Sequence, residues 1–279
     1  MSGRARYFVL FMFLFAILAA SAGRAAAMKP EHMTPDHRPW GELLRTYVVV
    51  PPPADGGAAP HFVDYAGLKA DKSGRAALGA YIESLEAVDP AALPRDEQFA
   101  FWVNLYNALT VQLVVDHYPV ASIRDISISP GFFSRGPWGR KLARVAGRDL
   151  SLDDIEHAIL RPEFGDPRVH YAVNCASWSC PDLSPEPYEG VTLDAQLNAA
   201  ARRYINSPRG VDFRGGRLTA SSIFSWYKKD FGGTEAGVLA HLRKYAEPEL
   251  AAALAKATRV SSYDYDWSLN DAARLEEIE

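Results

Sequence analysis

The sequence predicts a helix-rich α+β fold: one globular domain whose buried central helix packs on a small antiparallel sheet. Three observations predict it. Asp96 to His117 is apolar around nearly its whole circumference, from Phe99, Phe101 and Trp102 through Leu105, Tyr106 and Leu109 to Leu113 and Val114. A helix of that composition is enclosed on all sides. Several other segments repeat apolar residues at helical spacing, while the strand-like segments are few and short.

The chain opens with a signal-peptide pattern over residues 1–27. Arg4 and Arg6 form a basic start, Tyr7 to Ala20 is an apolar run, and Ala20-Ser21-Ala22 or Ala25-Ala26-Ala27 fits a cleavage site. The run is shorter than the roughly 20 residues of a membrane helix. The expectation is an exported protein, periplasmic or secreted, touching a membrane only if that segment stays uncleaved. Residues 28–60 read as a lead-in. They carry Pro30, Pro35 and Pro39, a short helical stretch near Gly41–Tyr47, and the loop VPPPADGGAAP. The globular domain is expected over 61–270, with 271–279 as a tail.

Within the domain, Leu78, Tyr81, Ile82 and Leu85 mark a helix over Ser73–Ala87. The central helix follows, acidic in its first turn at Asp96 and Glu97 and stopped by Pro119. Leu142–Val145 reads as a short strand turning at Gly147-Arg148-Asp149. Ser151–Leu160 reads as a helix with a capping-box-like start, Ser151 to Asp154, ended by Pro162. Val169–Cys175 alternates like a strand. A proline-rich loop spans Pro181–Gly190, and a helix spans Leu193–Ile205. Val211–Leu218 reads as a hairpin turning at Gly215-Gly216. Helices over Ser222–Phe231 and Thr234–Tyr245 and a strand over Arg259–Tyr263 complete the chain. Ala251–Ala257 reads only as an alanine-rich run.

Charge excludes some partners. The chain carries 34 acids against 30 basic residues, a formal charge of −4. Loss of residues 1–27 removes three arginines and no acid, which takes it to −7. An acidic surface argues against nucleic acid and leaves a small molecule or peptide as the expected partner.

The chemistry concentrates in RVHYAVNCASWSCPDL, residues 168–183, which holds both cysteines, Cys175 and Cys180, and His170. Glu156 and His157 lie on the preceding helix. Thiol, imidazole and carboxylate are the parts of a nucleophilic site. On the helix, Glu156 falls within the apolar arc of Leu152, Ile155, Ile159 and Leu160, so it needs a cation, donors or a proton. The structural reading pairs it with Arg161 or Arg168. Asn104 and Asn107 form a polar stripe on the central helix, suited to clamping neighbouring backbone or to donating to an oxyanion. In a regular strand His170 and Cys175 point to opposite faces, which leaves His157 as a rival base. Of the other histidines, His32, His37 and His61 fall in or beside the lead-in, and His241 reads as a helix-surface residue.

Three readings stay open. The first is an exported thiol hydrolase or acyl transferase, with Cys175 or Cys180 as nucleophile, His157 or His170 as base, Glu156 orienting it and Asn104 or Asn107 at the oxyanion. The second is a non-catalytic periplasmic binding or scaffolding domain, its loop closed by a Cys175–Cys180 disulfide and its contact surface formed by Trp178, Pro181, Pro185 and Tyr188. The third, a metal site of His157, His170, Cys175 and Cys180, lacks the paired short spacings of zinc modules. No cofactor and no resident metal are called for.

Five blocks in order, FWVNLYNALTVQLVVDHYPVASIRDI, LSLDDIEHAIL, DPRVHYAVNCASWSCPDL, SWYKKDF and YDYDWSLN, resemble the family catalogued as domain of unknown function 547, uncharacterised bacterial exported proteins. The resemblance covers roughly His61 to Asn270. It implies that Asn104, Tyr106, Asn107, Glu156, His157, Arg168, His170, Cys175, Ser179, Cys180 and Pro181 occupy the family's pattern positions. It implies no activity. Papain- and transglutaminase-like thiol enzymes share the general plan, but they place the thiol at a helix start ahead of the histidine, whereas here both cysteines follow His170.

Overall fold

A computed structural model describes residues 34–52, 59–131 and 136–277. Residues 1–27, expected as a signal peptide, and His32 lie outside the described residues. The chain is α+β and helix-rich, with its strands in three small sheets.

Helix α1 (Arg38–Tyr47) starts with a proline in its first turn, where a missing N–H is harmless. It buries Trp40, Leu43, Leu44 and Tyr47. Trp40 stacks on Tyr81 of α3 (Lys72–Glu86) at 5.8 Å and 7°. Strand β1 (Val48–Val49) then pairs antiparallel with β2 (Phe62–Val63). The segment expected as a lead-in therefore contributes to the main core, and the folded unit begins upstream of His61. His37 and His61 are buried accordingly. His37 Nδ1 lies 2.8 Å from the Tyr81 hydroxyl, and His61 Nδ1 lies 2.8 Å from the Leu183 carbonyl. Short helix α2 (Tyr65–Ala70) and α3 are each capped by an aspartate, Asp64 and Asp71, which accept from backbone N–H groups of the first turn.

Helix α4 (Arg95–His117) is the buried rod the composition predicts: every residue from Phe99 to Val111 is buried. It packs against α2, α3 and the helix over Asp154–Phe164, so its shell is mainly helical. Strands β3 (Ala143–Val145) and β4 (Arg148–Leu150) add Ala143, Val145 and Leu150 to the same core. Their turn is Ala146-Gly147, both at positive φ, the twist a two-residue hairpin prefers.

The helix expected over Ser151–Leu160 is a π-helix that runs on through Pro162, from Asp154 to Phe164. Ser151 and Asp154 exchange backbone-to-side-chain hydrogen bonds at its start. Left-handed Gly165 (φ 64°) ends it. The segment expected as a strand, Val169–Cys175, is instead a helical turn, α5 (Val169–Ala172), followed by extended chain. Its alternation is real, but no strand lies beside it. Asn107 takes the place of a neighbouring strand by donating to the Ala172 carbonyl (2.9 Å) and accepting from the Asn174 N–H (2.8 Å).

Helix α6 (Leu193–Ile205) has the expected bounds. Strands β5 (Val211–Arg214) and β6 (Arg217–Ser221) form the expected hairpin through Gly215-Gly216. Strand β7 (Ser262–Asp264) joins β6 in parallel, so this sheet is mixed rather than antiparallel. The expected helix over Ser222–Phe231 shrinks to one turn, α7 (Ile223–Trp226). Helix α8 (Glu235–Tyr245) is followed by α9 (Pro248–Lys256), which the alanine-rich run concealed. Tyr204, Leu218, Phe224, Phe231 and Leu242 form a second hydrophobic cluster around this half. Among the described residues no helix is long and apolar enough to cross a membrane.

Candidate functional site

The loop Cys175–Cys180 is built by backbone hydrogen bonds to the chain after β7. Trp178 donates to Ser268, Ser179 to Asp266, and Asn270 to Ala176. Asn174 closes the loop from inside: its Nδ2 donates to the Pro181 carbonyl (2.7 Å) and its Oδ1 accepts from the Ala176 N–H (2.9 Å). Ala176 is left-handed at φ 60°, unusual for a residue with a side chain. That conformation sets Cys175 beside Cys180 with their sulfurs 3.0 Å apart, both as free thiols.

Cys175 Sγ also lies 3.2 Å from Ser177 Oγ and 3.2 Å from the Tyr265 hydroxyl. The Cys180 thiol, then the two hydroxyls, stabilise its thiolate against the cost of burial and bring its pKa down to about 7. Burial, and then the adjacent Cys175, push the Cys180 thiol up instead. The two sulfurs are thus unequal: Cys175 is the more readily ionised, while Cys180 accepts from the Cys175 N–H (3.0 Å).

Both sulfurs line a cavity of about 250 Å³ together with Tyr106 of α4, Glu156 and His157 of the π-helix, and His170 of α5. Trp138, Trp226, Tyr227, Tyr265 and Trp267 form much of its apolar wall. His170 is packed flat on Tyr227, with ring centroids 4.1 Å apart. Its Nε2 is 2.8 Å from Asp230 Oδ2, and its Nδ1 is 3.8 Å from Glu156 Oε1. Arg161 grips the same aspartate through Nε (2.6 Å) and Nη2 (3.2 Å). The His170 hydrogen bond, then Arg161, hold the Asp230 carboxyl well below the usual carboxylate range. His157 is more open, its side chain 39% exposed; its Nδ1 faces Arg161 Nη1 at 3.2 Å.

Glu156 accepts from the Tyr106 hydroxyl at 3.3 Å and is flanked by both imidazoles. It pairs with neither expected arginine. Arg161 is held by Asp230, and Arg168 by Asp166 and Asp194. Glu156, His157, His170, Cys175 and Cys180 are therefore brought to one cavity. The helical turn at α5 removes the opposite-face geometry that a strand would have imposed on His170 and Cys175. Among the described residues no imidazole hydrogen-bonds either sulfur; the thiol's partners are Cys180, Ser177 and Tyr265.

Asn104 and Asn107 do not line the cavity. Asn104 donates to the Tyr188 carbonyl (2.7 Å) and accepts from the Tyr188 N–H (3.0 Å), and Asn107 clamps α5. Both carboxamides are engaged with backbone, one donation and one acceptance each. The contact surface expected from Trp178, Pro181, Pro185 and Tyr188 is largely internal. Pro181 and Tyr188 are buried, and Trp178 sits between Arg209 and Arg274. His241 is no surface residue either: its Nε2 lies 2.8 Å from the Tyr171 hydroxyl. Among the described residues no group of three or more His, Cys, Asp and Glu is disposed to hold a metal ion.

Sequence reasoning missed Asp230, Tyr227 and Tyr265. They belong to SWYKKDF and YDYDWSLN. Those blocks carried the resemblance, yet nothing in their spacing tied them to Cys175 or His170, far back in the chain.

No curated protein and no solved structure matches the chain. Residues 90–205 match the family model described as "Protein of unknown function, DUF547". That span is narrower than His61–Asn270. It contains α4, the π-helix, α5 and both cysteines, and ends before Asp230 and Tyr265. Over residues 90–205 the chain is thus similar to the DUF547 family of proteins of unknown function.

Proposed function

We propose that the protein is an exported cysteine-dependent hydrolase or acyl transferase, with Cys175 as nucleophile and His170 as acid and base. One observation carries the reading. A thiol whose anion is favoured by its hydrogen-bonding neighbours Cys180, Ser177 and Tyr265 lines the same cavity as an aspartate-oriented imidazole. Cys175 attacks an acyl carbon, a C–S bond forms, and the C–N or C–O bond to the leaving group breaks. The thiol proton, taken up by His170 Nδ1 as Cys175 is deprotonated, passes on to the leaving group. Water or another acceptor then gives a proton back to His170 and attacks the thioester, restoring the thiolate. The Cys180, Ser177 and Tyr265 neighbours favour the thiolate, so the thiol proton passes readily to the imidazole, which holds it for the leaving group. Glu156, 3.8 Å from His170 Nδ1, favours the imidazolium that forms in passing.

Alkylation tests this reading. Native protein treated with iodoacetamide at neutral pH should be modified at Cys175 well before Cys180, and activity on an activated thioester should disappear with that modification. Native protein with no alkylatable Cys175 would end the proposal in its resting-thiol form.

A second reading rests on the 3.0 Å between the sulfurs. Loss of two hydrogens to an oxidant joins them, and the chain then serves as a binding domain with a clipped loop. An intact mass about 2 Da higher after reduction would favour it.

A further inference from the structure

We infer that the Cys175 cavity takes a cationic substrate: an amide or ester carrying an ammonium group, whose charge rests on the aromatic wall while its acyl carbon meets the thiol. The reaction named here rests on the thiol chemistry proposed above; the recognition of the cation does not.

The charge balance of the lining comes first. Besides three tyrosines, its ionisable groups among the described residues are Asp153, Glu156, the two thiols and the two imidazoles, with no lysine and no arginine. The nearby Arg161 is held by Asp230 and faces Tyr227. Glu156 has a side chain only 10% exposed, yet among the described residues no lysine or arginine pairs with it. Arg124 lies over Trp267 and Arg161 over Tyr227, but among the described residues the lining itself presents two carboxylates and a thiolate and no lysine or arginine, so a cationic substrate gains where an anionic one is repelled.

The wall points the same way. Trp226 lies 4.8 Å from Tyr265 and 5.6 Å from Trp267, Tyr265 lies 4.7 Å from Trp267, and Trp138 lies 5.7 Å from Trp267. These contiguous rings border a cavity that has carboxylates among its other lining residues. Trp226 is 50% exposed, a large apolar side chain left in water at the cavity. Electron-rich ring faces beside carboxylates are how proteins hold ammonium groups. A neutral ligand of the same shape would use the rings and gain nothing from the acids.

The test uses the full chain with choline and its uncharged isostere 3,3-dimethylbutan-1-ol, read by tryptophan fluorescence and by calorimetry. Choline should bind at least about tenfold more tightly than the alcohol, a difference within the range of a desolvated cation–π contact. Glu156→Gln should cut choline binding about fivefold or more and leave the alcohol unchanged. Trp226→Ala, checked for native circular dichroism, should weaken choline binding. Equal binding of the two probes, or no binding of choline, overturns the inference. Iodoacetamide labelling of Cys175 in the same samples separates the two claims. Normal labelling without choline binding removes the cationic substrate alone; choline binding without labelling removes the thiol reaction alone.

Discussion

His170 Nε2 lies 2.8 Å from Asp230 Oδ2, and Arg161 closes on the same carboxylate through two nitrogens. This contact joins α5 to the chain just beyond α7, across 60 residues of sequence. It orients the imidazole: the Asp230 carboxylate accepts from Nε2–H, which turns Nδ1 toward Glu156.

Asp230→Asn should therefore reduce acyl transfer by about 10²-fold or more, in keeping with the weight of positioned acid–base groups. It should also remove an acid-sensitive contribution to stability. The folded-state pKa of Asp230 is depressed. Its contribution is thus present above the unfolded value, near 4, and is lost as pH falls below that. Urea midpoints at pH 6 and pH 3 should differ less in the variant than in the parent. An unchanged difference would contradict the pairing.

Cys180 should govern the reactivity of Cys175. With the Cys175 pKa at about 7, alkylation should reach half its maximal rate near neutral pH. Cys180→Ala removes the largest stabilising hydrogen bond, so that midpoint should move upward and the rate at pH 7 should fall. Tyr265→Phe removes a lesser donor and should shift it less. The pH profile of iodoacetamide labelling, followed by mass, measures both.

Asn107 is a clamp, and its loss should be felt in stability. Asn107→Ala leaves the Ala172 carbonyl and the Asn174 N–H buried without their partner. At about 1–3 kcal/mol for each unsatisfied group, the total for the two should be about 2–6 kcal/mol by urea denaturation. Labelling of Cys175 in the folded fraction should continue. Full stability with lost activity would instead return Asn107 to an oxyanion role.

Mild acid should weaken the fold through its buried imidazoles. Burial lowers the pKa of His37 to about 4 and of His241 to about 4. The unfolded chain binds protons at these sites near pH 6.5, so protonation favours unfolding as pH falls from about 6.5 toward 4. His37 Nε2 is buried without a hydrogen-bond partner, which marks it as a site where a proton is least welcome. Urea midpoints should drop between pH 7 and pH 4.5, and His241→Gln should reduce that drop. A flat profile would show that these rings are solvated.

Local chemistry alone determined much of this protein. The all-round apolar helix α4, the capped start at Ser151, the helix Leu193–Ile205 and the glycine hairpin at Gly215-Gly216 each follow from residues within one or two turns of one another. The concentration of thiol, imidazole and carboxylate between Glu156 and Cys180 was equally legible, because sequence proximity limits how far those groups can separate. Tertiary structure decided the rest. Val169–Ala172 became a helical turn because Asn107, not a strand, meets its backbone. The parallel pairing of β7 with β6 depends on a crossover that no local pattern records. Asp230 and Tyr265 became partners of His170 and Cys175 through contacts spanning 60 and 90 residues. Such contacts are selected by the packing of whole elements, a sum over many weak interactions that no short window of sequence contains.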